Sequence, residues 1–186
     1  MLQTLKEWDW ELLVWLNSIG IEDWDSFWLI VTKIETWIPL FVFFFILIFY
    51  YYKFKKGIVV LFSLFATAGI TIFITEFTKE YVARLRPNNV EALGDLIRVL
   101  LQPENYSFFS GHASSSFAIT TFVVLSLRKY NRYVYLFYLW PLLFIMSRIY
   151  VGVHYPSDIL VGAIVGMLIG SSIYFVAKKR LGQMSN

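Results

Sequence analysis

Long apolar runs, separated by short polar segments, occupy most of the chain after its first 36 residues. A helix needs roughly 20 apolar residues to cross a hydrocarbon core, with some tolerance for tilt and for buried polar groups near its ends. Five runs meet this requirement: residues 37–52, which we extend back towards Trp24, and then 57–78, 110–127, 133–149 and 157–177. The pattern predicts an all-α integral membrane protein built on a bundle of about five transmembrane helices.

Residues 1–22 show a different pattern, in which apolar positions recur at helical spacing among acidic and amide residues. The apolar positions are Trp8, Leu12, Trp15, Leu16 and Ile19. They predict an amphipathic helix, which either lies in the membrane interface or packs as a cap over the other helices. Acidic residues interrupt the segment too early for the continuous apolar core of a signal peptide, so we expect it to be retained.

The connection between the second and third predicted spans is long, and part of it is again amphipathic. Within EALGDLIRVLLQ, residues 91–102, the side chains of Leu93, Leu96, Ile97 and Leu100 share one helical face. We therefore expect a short interfacial helix in this outer loop, in addition to the N-terminal helix.

The composition agrees with a membrane protein and excludes several chemistries. Hydrophobic residues make up 58% of the chain and charged residues only 16%, which is too apolar for an ordinary soluble domain of this size. No polar or like-charged linker divides it, so we expect residues 1–186 to form a single domain. The absence of cysteine excludes disulfides and thiolate nucleophiles. The net charge of +3 lies in short clusters, which suit anionic membrane lipids better than nucleic acid.

Basic clusters mark one end of the predicted bundle. They lie at 53–56, 128–132 and 178–180, and the alternation of the spans places all three on one side. The positive-inside rule assigns that side to the cytoplasm, so we expect a cytoplasmic C-terminus. The opposite side receives the N-terminal helix and the two outer connections, and the cations found there require a functional explanation.

Three glycines of the fifth span, Gly162, Gly166 and Gly170, recur at every fourth residue. A smooth stripe of this kind allows close packing against a neighbouring helix. We expect the stripe to have a structural role and no catalytic one.

Three polar segments interrupt the apolar chain, and all of them fall on the predicted outer side. They are KEYVARLRP at 79–87, SGH at 110–112 and SRIYVGVHYPSD at 147–158. Ionisable residues at membrane depth are costly and usually serve a site. Their convergence on one side therefore predicts a functional site there.

The first segment carries two cations, Lys79 and Arg86, at a separation of nearly two helical turns. Both can point from one face of the second predicted helix towards the bundle interior, where they would suit an anion. Taken alone, cations at such positions are more often interface residues that extend to lipid head groups.

The second segment stands at the start of the third span, where unpaired N–H groups and the helix dipole favour an anion. Gly111 would let the backbone approach a phosphate, Ser110 could add a hydroxyl and His112 could deliver a proton. The motif alone is a weak signal, because serine and glycine commonly start helices.

The third segment contains Arg148, His154 and Asp158. The Asp158 carboxylate can accept the N–H of one imidazole nitrogen of His154 and leave the lone pair of the other for a substrate. The same pair could ligate a metal or form a simple ion-paired turn. Two histidines and few carboxylates on this side make a poor ligand set, so we expect no metal and no cofactor.

The three segments together resemble the signature of the type 2 phosphatidic acid phosphatase superfamily. The residues that carry the resemblance are Lys79, Arg86, Pro87, Ser110, Gly111, His112, Ser147, Arg148, His154 and Asp158. The resemblance covers residues 57–178 in order and topology. It implies metal-independent phosphoryl transfer through a phosphohistidine on His154, with Asp158 as its support and His112 as proton donor and acceptor. It also implies that the phosphoryl oxygens are held by Lys79, Arg86, Ser110, Gly111 and Arg148.

One position departs from the family pattern, because Phe109 stands where a proline usually precedes the serine. Proline would pre-set the turn into the helix, so Phe109 is expected to reshape that turn without removing a catalytic group.

The resemblance implies a lipid phosphatase of a bacterial inner membrane that acts on a lipid phosphate or pyrophosphate from the outer, non-cytoplasmic side. Undecaprenyl pyrophosphate is the first expected substrate, on the basis of the small size of the chain. Phosphatidylglycerol phosphate, phosphatidic acid and lipid A 1-phosphate fit the same features. A non-catalytic protein that binds or transports a polyprenyl phosphate would use the same cationic pocket, but it would be expected to have lost a histidine.

Overall fold

The computed structural model describes residues 2–184, with side chains from residue 4, and this part of the chain forms eight α-helices. Met1, Ser185 and Asn186, which belong to the predicted single domain, lie outside the described residues. The helices are α1 (Leu2–Ser18), α2 (Asp25–Val31), α3 (Ile38–Tyr51), α4 (Phe54–Val82), α5 (Glu91–Gly94), α6 (Gly111–Leu127), α7 (Leu139–Tyr150) and α8 (Pro156–Gln183).

Five of these helices correspond to the predicted spans. With the 3-10 turns that continue them, α3, α4, α7 and α8 are long and apolar enough to cross a membrane, and α6 is a shorter apolar helix. The chain is therefore an all-helical integral membrane protein, as the apolar pattern predicted.

The helices α6 and α8 lie side by side and run in the same direction. A Cβ added at Gly166 would lie 2.2 Å from the Ser114 carbonyl oxygen, and one at Gly170 would lie 2.4 Å from the Ala118 carbonyl oxygen. Gly162 meets the backbone of α6 in the same way. Only glycine permits so close an approach, which confirms the structural role predicted for the stripe. The packing also brings the N-termini of the two helices together.

An aromatic core fills the half of the bundle that lies away from these N-termini. The Tyr52 hydroxyl donates to the Ser126 carbonyl at 2.8 Å, and the rings of Tyr51 and Tyr130 stack with their centres 4.9 Å apart. These contacts place the basic segments 53–56 and 128–132 at one end of the bundle. The basic end of α8 lies there too, because α8 runs parallel to α6.

The N-terminal helix α1 both packs against the bundle and exposes an apolar stripe. Leu13 is fully buried against Leu93, Ile97 and Tyr155, and Asn17 is buried near the end of the helix. The outward stripe consists of Leu5, Trp8, Leu12, Trp15 and Ile19. The structure therefore shows the packing of a cap over other helices, and the exposed stripe is the apolar face that the interfacial alternative requires.

The first span does not extend back to Trp24, which corrects the prediction. The helix α2 ends at Val31, and the chain turns at Thr32 and Lys33 before a 3-10 turn leads into α3. The Trp37 indole N–H donates to the Val31 carbonyl at 2.9 Å. The Val31 carbonyl thus accepts from a side chain instead of from a backbone N–H of a continuing helix, and the helix stops there. Thr32, the next residue, is buried.

Lys79 and Arg86 do not lie on one helix, which is a second correction. The helix α4 ends at Val82, because Ala83 adopts a left-handed conformation with φ 50° and ψ 37° and its N–H bonds to the Lys79 carbonyl at 2.8 Å. Arg86 therefore lies in the extended segment beyond the helix. An alanine gives no sequence signal for such a turn.

The outer-loop helix is present but is shorter than the predicted 91–102. It forms only the turn Glu91–Gly94, and the chain beyond is held by tertiary partners. The Arg98 N–H donates to the side-chain oxygen of Asn17 at 2.7 Å, and the Leu100 N–H donates to the Val151 carbonyl at 3.1 Å. These bonds replace the helical ones that the periodicity predicted.

Candidate active site

A cavity of about 330 Å³ lies where α4 ends and where α6 and α8 begin. Six of the predicted site residues line it: Lys79, Arg86, Gly111, His112, Arg148 and His154. The other two, Ser110 and Asp158, are fully buried beside it, and the Ser110 N–H donates to the Asp158 carbonyl at 3.1 Å. The structure thus brings all the predicted site residues together.

His154 lies in the short connection between α7 and α8 and is almost completely buried. Its Nε2 lies 3.0 Å from Nη1 of Arg86, and its Nδ1 lies 3.3 Å from Oδ2 of Asp158. A guanidinium only donates, so Nε2 must accept and the ring proton is on Nδ1, facing the carboxylate. Burial, followed by the nearby charges of Arg86 and Arg148, lowers the pKa of His154 well below its ordinary value. The ring is therefore neutral at neutral pH, with a lone pair on Nε2.

Asp158 lies in the first turn of α8, and both of its carboxylate oxygens have partners. Besides facing His154, Oδ2 accepts from the Tyr155 N–H at 3.1 Å, and Oδ1 accepts from Nη1 of Arg84 at 2.6 Å. A fully buried carboxylate needs such compensation. Arg84 lies within the polar segment 79–87, and its place two residues before Arg86 was the only sequence signal for a role in the site.

Arg86 is held both by the outer loop and by the connection between α7 and α8 that carries His154. Its Nε and Nη2 donate to the backbone and side-chain oxygens of Asn105 at 2.8 and 2.7 Å, and its Nη1 donates to the Val153 carbonyl at 2.9 Å. Asn105 also lines the cavity. Sequence reasoning missed this residue, because nothing in the loop pattern distinguishes it from other polar loop positions.

Lys79 lies beside the first residue of α6. A Cβ added at Gly111 would lie 3.6 Å from its Nζ, in ordinary van der Waals contact. The same Nζ lies 2.7 Å from Oε1 of Glu76, which also lines the cavity and is half exposed. The cavity therefore contains one carboxylate that the sequence analysis did not assign.

Ser110 caps the N-terminus of α6, with its hydroxyl oxygen accepting from the Ala113 N–H at 3.4 Å. In this arrangement the predicted phosphate-binding hydroxyl serves the helix. Phe109 is buried, and the chain enters the helix through the extended backbone of Ser110 without the family's proline. Gly111 is the first helical residue, so the unpaired N–H groups and the positive end of the helix dipole lie at the cavity.

His112 and Arg148 both contact Thr32, the residue at the break between α2 and α3. The His112 ring interacts with the Thr32 backbone and packs on Phe144, with ring centres 4.6 Å apart. The Thr32 hydroxyl accepts from Nη1 of Arg148 at 2.5 Å. Within residues 4–184, Nε of Arg148 is buried and has no hydrogen-bond partner. Such a donor is costly to leave unpaired, and a bound anion would satisfy it.

The arrangement is suited to phosphoryl transfer. Three cations, Lys79, Arg86 and Arg148, line the cavity together with a neutral imidazole, and Arg86 donates to its lone pair. Such donors can stabilise the charge that spreads over the equatorial oxygens of a phosphoryl group in transfer. His112 lines the same cavity and can exchange a proton with an oxygen bound there.

Known proteins resemble the chain in sequence and in fold. The PAP2 superfamily pattern matches residues 59–181. A lipid A 4'-phosphatase of Bacteroides thetaiotaomicron is 30% identical over 191 aligned positions, and the alignment covers 100% of this chain and 84% of that protein. An undecaprenyl-diphosphatase of Sulfolobus acidocaldarius is 32% identical over 125 residues, 67% of this chain and 56% of that protein.

The fold is similar to that of a solved membrane phosphatase. The structure of a transmembrane PAP2-type phosphatidylglycerolphosphate phosphatase from Bacillus subtilis superimposes with a TM-score of 0.74 and 21% identity, covering 95% of this chain and 87% of that one. At this identity the likeness concerns the fold alone.

Proposed function

Because the chain belongs to the PAP2 superfamily and is a membrane lipid phosphatase, we propose that it hydrolyses a phosphate monoester on a saccharide lipid of the lipid A class. The products are inorganic phosphate and a lipid with one phosphate fewer. The observation that carries the proposed chemistry is the pairing of His154 with Arg86 and Asp158, which supports a neutral imidazole whose Nε2 lone pair faces a phosphate-binding cation.

In the first proposed step, Nε2 of His154 attacks phosphorus while the bond from phosphorus to the lipid oxygen breaks. A phosphohistidine forms, and the Asp158 carboxylate facing Nδ1 stabilises the positive charge that develops on the ring. His112 gives a proton to the departing lipid oxygen. Arg86 leaves Nε2 and binds the phosphoryl oxygens.

In the second proposed step, water releases the phosphate. His112 takes a proton from a water molecule as the water oxygen attacks phosphorus, and the bond between phosphorus and Nε2 breaks. Lys79, Arg86, Arg148 and the N-terminus of α6 hold the phosphoryl oxygens in both steps. Because these groups supply the positive charge, the proposed reaction uses no metal and no cofactor.

The proposed substrate class is supported by the similarity to the lipid A 4'-phosphatase over the whole chain and by the charge of Glu76. Glu76 lines the cavity next to Lys79. A carboxylate there would repel a further anionic phosphate, whereas it can accept hydrogen bonds from sugar hydroxyls. Both observations favour a monoester on a saccharide over a diphosphate.

Undecaprenyl pyrophosphate, the first substrate expected from the sequence, is the second candidate. The similarity to the undecaprenyl-diphosphatase of Sulfolobus acidocaldarius favours it, over 67% of this chain. Its hydrolysis would use the same attack on phosphorus, with a phosphate oxygen as the leaving group.

We place the site on the outer face of a bacterial inner membrane. The basic segments 53–56, 128–132 and 178–180 lie at the other end of the bundle, which the positive-inside rule assigns to the cytoplasm. The apolar stripe of α1 then lies in the outer interface, next to the site that receives the lipid head group.

A substrate panel tests the proposal. Purified protein in detergent is offered lipid A, undecaprenyl pyrophosphate, phosphatidylglycerol phosphate and phosphatidic acid at equal concentration, with a chelator present throughout. Released inorganic phosphate is measured, and the product masses identify the phosphate that was removed. We expect the highest kcat/KM with lipid A. Higher kcat/KM with undecaprenyl pyrophosphate would assign the second candidate, and a strict requirement for a divalent ion would contradict the mechanism.

A further inference from the structure

Asp9 of α1 binds the first turn of α8, the helix that carries Asp158. Its Oδ1 accepts from the Ser157 N–H at 2.9 Å, and its Oδ2 accepts from the Ser157 hydroxyl at 2.5 Å. N–H groups in the first turn have no partner inside their own helix. Here a carboxylate from a distant part of the chain supplies one.

Arg84 connects Asp9 to Asp158. Its Nη2 lies 2.7 Å from Oδ2 of Asp9, and its Nη1 lies 2.6 Å from Oδ1 of Asp158. Nη1 also donates to the Ser157 hydroxyl at 2.8 Å, and the guanidinium lies over the Tyr155 ring, 3.8 Å from its centre. The planar guanidinium is thus held at both of its ends and on one face.

The backbone of Arg84 is also held by the fold. The left-handed Ala83 turns the chain away from α4 just before it, and the N–H of Ser107 donates to the Arg84 carbonyl at 2.9 Å. Ser107 is itself fully buried. The guanidinium therefore approaches Asp158 from a fixed direction.

We propose that Arg84 and Asp9 are positioning residues for the nucleophile. Arg84 binds one oxygen of Asp158 and so directs the other oxygen towards Nδ1 of His154, while Asp9 holds Arg84 in this place. Arg84 also compensates the charge of the fully buried carboxylate, which faces the ring N–H as a hydrogen-bond acceptor. Neither residue lines the cavity, so both act through Asp158. The inference rests on the phosphohistidine mechanism proposed above.

Docking of α1 alone does not explain these contacts. Leu13 and Asn17 already attach the helix to the bundle through an apolar cluster and through backbone hydrogen bonds that do not involve Asp158. An ion pair between Asp9 and Arg84 adds little to such an attachment where it is partly open to water. Its distinctive effect is on the orientation of the guanidinium that binds Asp158.

Three variants, Arg84→Met, Arg84→Lys and Asp9→Asn, test the inference against the matched control Asp25→Asn. Asp25 forms an ion pair with Arg98, which also ties the N-terminal third to the outer loop but does not contact Asp158. For each purified protein we would measure kcat, KM and the rate of phosphohistidine formation on the same lipid substrate. Thermal unfolding and gel-filtration elution in detergent accompany each measurement.

We expect Arg84→Met to slow phosphohistidine formation about 10- to 100-fold while KM stays within about twofold of the wild-type value. Asp9→Asn slows it by a smaller factor, Arg84→Lys recovers part of the loss, and Asp25→Asn leaves the rate unchanged. Wild-type rates in Arg84→Met and Asp9→Asn would overturn the inference. A parallel fall of kcat and thermal stability in every variant, the control included, would also overturn it, because a structural role would then suffice.

A second readout does not depend on turnover. The chain has two histidines, so in a His112→Gln background the imidazole ¹⁵N signals come from His154 alone. Because Arg86 still donates to Nε2, the ring proton stays on Nδ1 with or without Arg84. We expect a downfield Nδ1–H proton signal in this background, as for a hydrogen bond to a carboxylate, and an upfield shift of that signal when Arg84→Met is added. An unchanged Nδ1–H signal would refute the positioning role, whereas absence of phosphate release by the wild-type protein would refute the proposed function.

Discussion

Nη1 of Arg86 lies 3.0 Å from Nε2 of His154, and two other nitrogens of the same guanidinium are held by Asn105. The lone pair of the proposed nucleophile is therefore hydrogen-bonded to a cation that would also bind the phosphoryl group. An incoming anion has to draw this N–H away from the ring. Substrate binding and exposure of the lone pair are thus coupled through one side chain.

Replacement of Arg86 by lysine tests this coupling. Lysine keeps the charge but cannot bind Asn105 and a phosphoryl oxygen at the same time with a fixed geometry. We expect Arg86→Lys to lower kcat/KM about 100- to 1000-fold, as measured by phosphate release. Arg128→Lys, at the other end of α6, serves as the control and should keep wild-type activity. Equal activity of the two variants would show that charge alone is sufficient.

The two histidines have separable roles in the proposed mechanism. His154→Gln should eliminate the phosphohistidine, since no other imidazole takes the place of Nε2. His112→Gln should lower lipid turnover by roughly 10²- to 10⁴-fold, because proton transfer is lost. With an aryl phosphate, whose leaving group needs no proton, we expect His112→Gln to accumulate phosphohistidine in an alkaline quench. Accumulation in His154→Gln instead would reverse the assignment.

The depressed pKa of His154 sets the direction of two pH dependences. The unfolded chain has the ordinary pKa of 6.5, and the folded pKa lies well below it, so below pH 6.5 the unfolded state binds a proton that the folded state does not. Stability from this group is therefore present above pH 6.5 and is lost as the pH falls below it. Because the folded ring stays neutral, the acidic limb of kcat/KM should lie well below pH 6.5. A limb centred at the ordinary value would contradict the burial argument.

Glu76→Gln tests whether the Glu76 carboxylate makes the enzyme prefer lipid A to undecaprenyl pyrophosphate. The substitution removes a negative charge from the cavity and keeps the size of the side chain. We expect turnover of undecaprenyl pyrophosphate to rise relative to that of lipid A, because repulsion of the additional phosphate is removed. Glu80→Gln, an exposed position one turn further along α4 that does not line the cavity, provides the control. The same substrate ratio in both variants would exclude the role proposed for Glu76.

Gly166→Ala tests the packing that brings the site together. Its Cβ would lie 2.2 Å from the Ser114 carbonyl oxygen, so the helices must separate. We expect a loss of about 1–3 kcal/mol in stability, seen as a lower Tm in detergent. Gly69→Ala, with open space around the added Cβ, should leave stability unchanged or raise it by up to about 1 kcal/mol. Equal Tm values for the two variants would contradict the close approach.

The sequence predicted the main elements of the fold because each depends on neighbouring residues. A run of apolar residues long enough for the bilayer predicts a span wherever it occurs, and Gly162, Gly166 and Gly170 predict close packing by their helical spacing. Errors arose where hydrogen bonds outside the helical pattern end a helix. The break after Val31 and the short outer-loop helix both follow from hydrogen bonds to partners that local periodicity does not contain.

For the site, too, the sequence and the tertiary structure determine different properties. By itself the sequence determined which residue types are available for phosphoryl transfer, because the motif residues lie in three short polar segments of an apolar chain. Only the tertiary structure decided how they are oriented. Asp9 and Arg84 are 75 residues apart in the chain, and Thr32 and Arg148 are 116 apart, yet each pair is in direct contact. Such contacts depend on how separate helices pack, a property of the whole bundle that no single segment encodes.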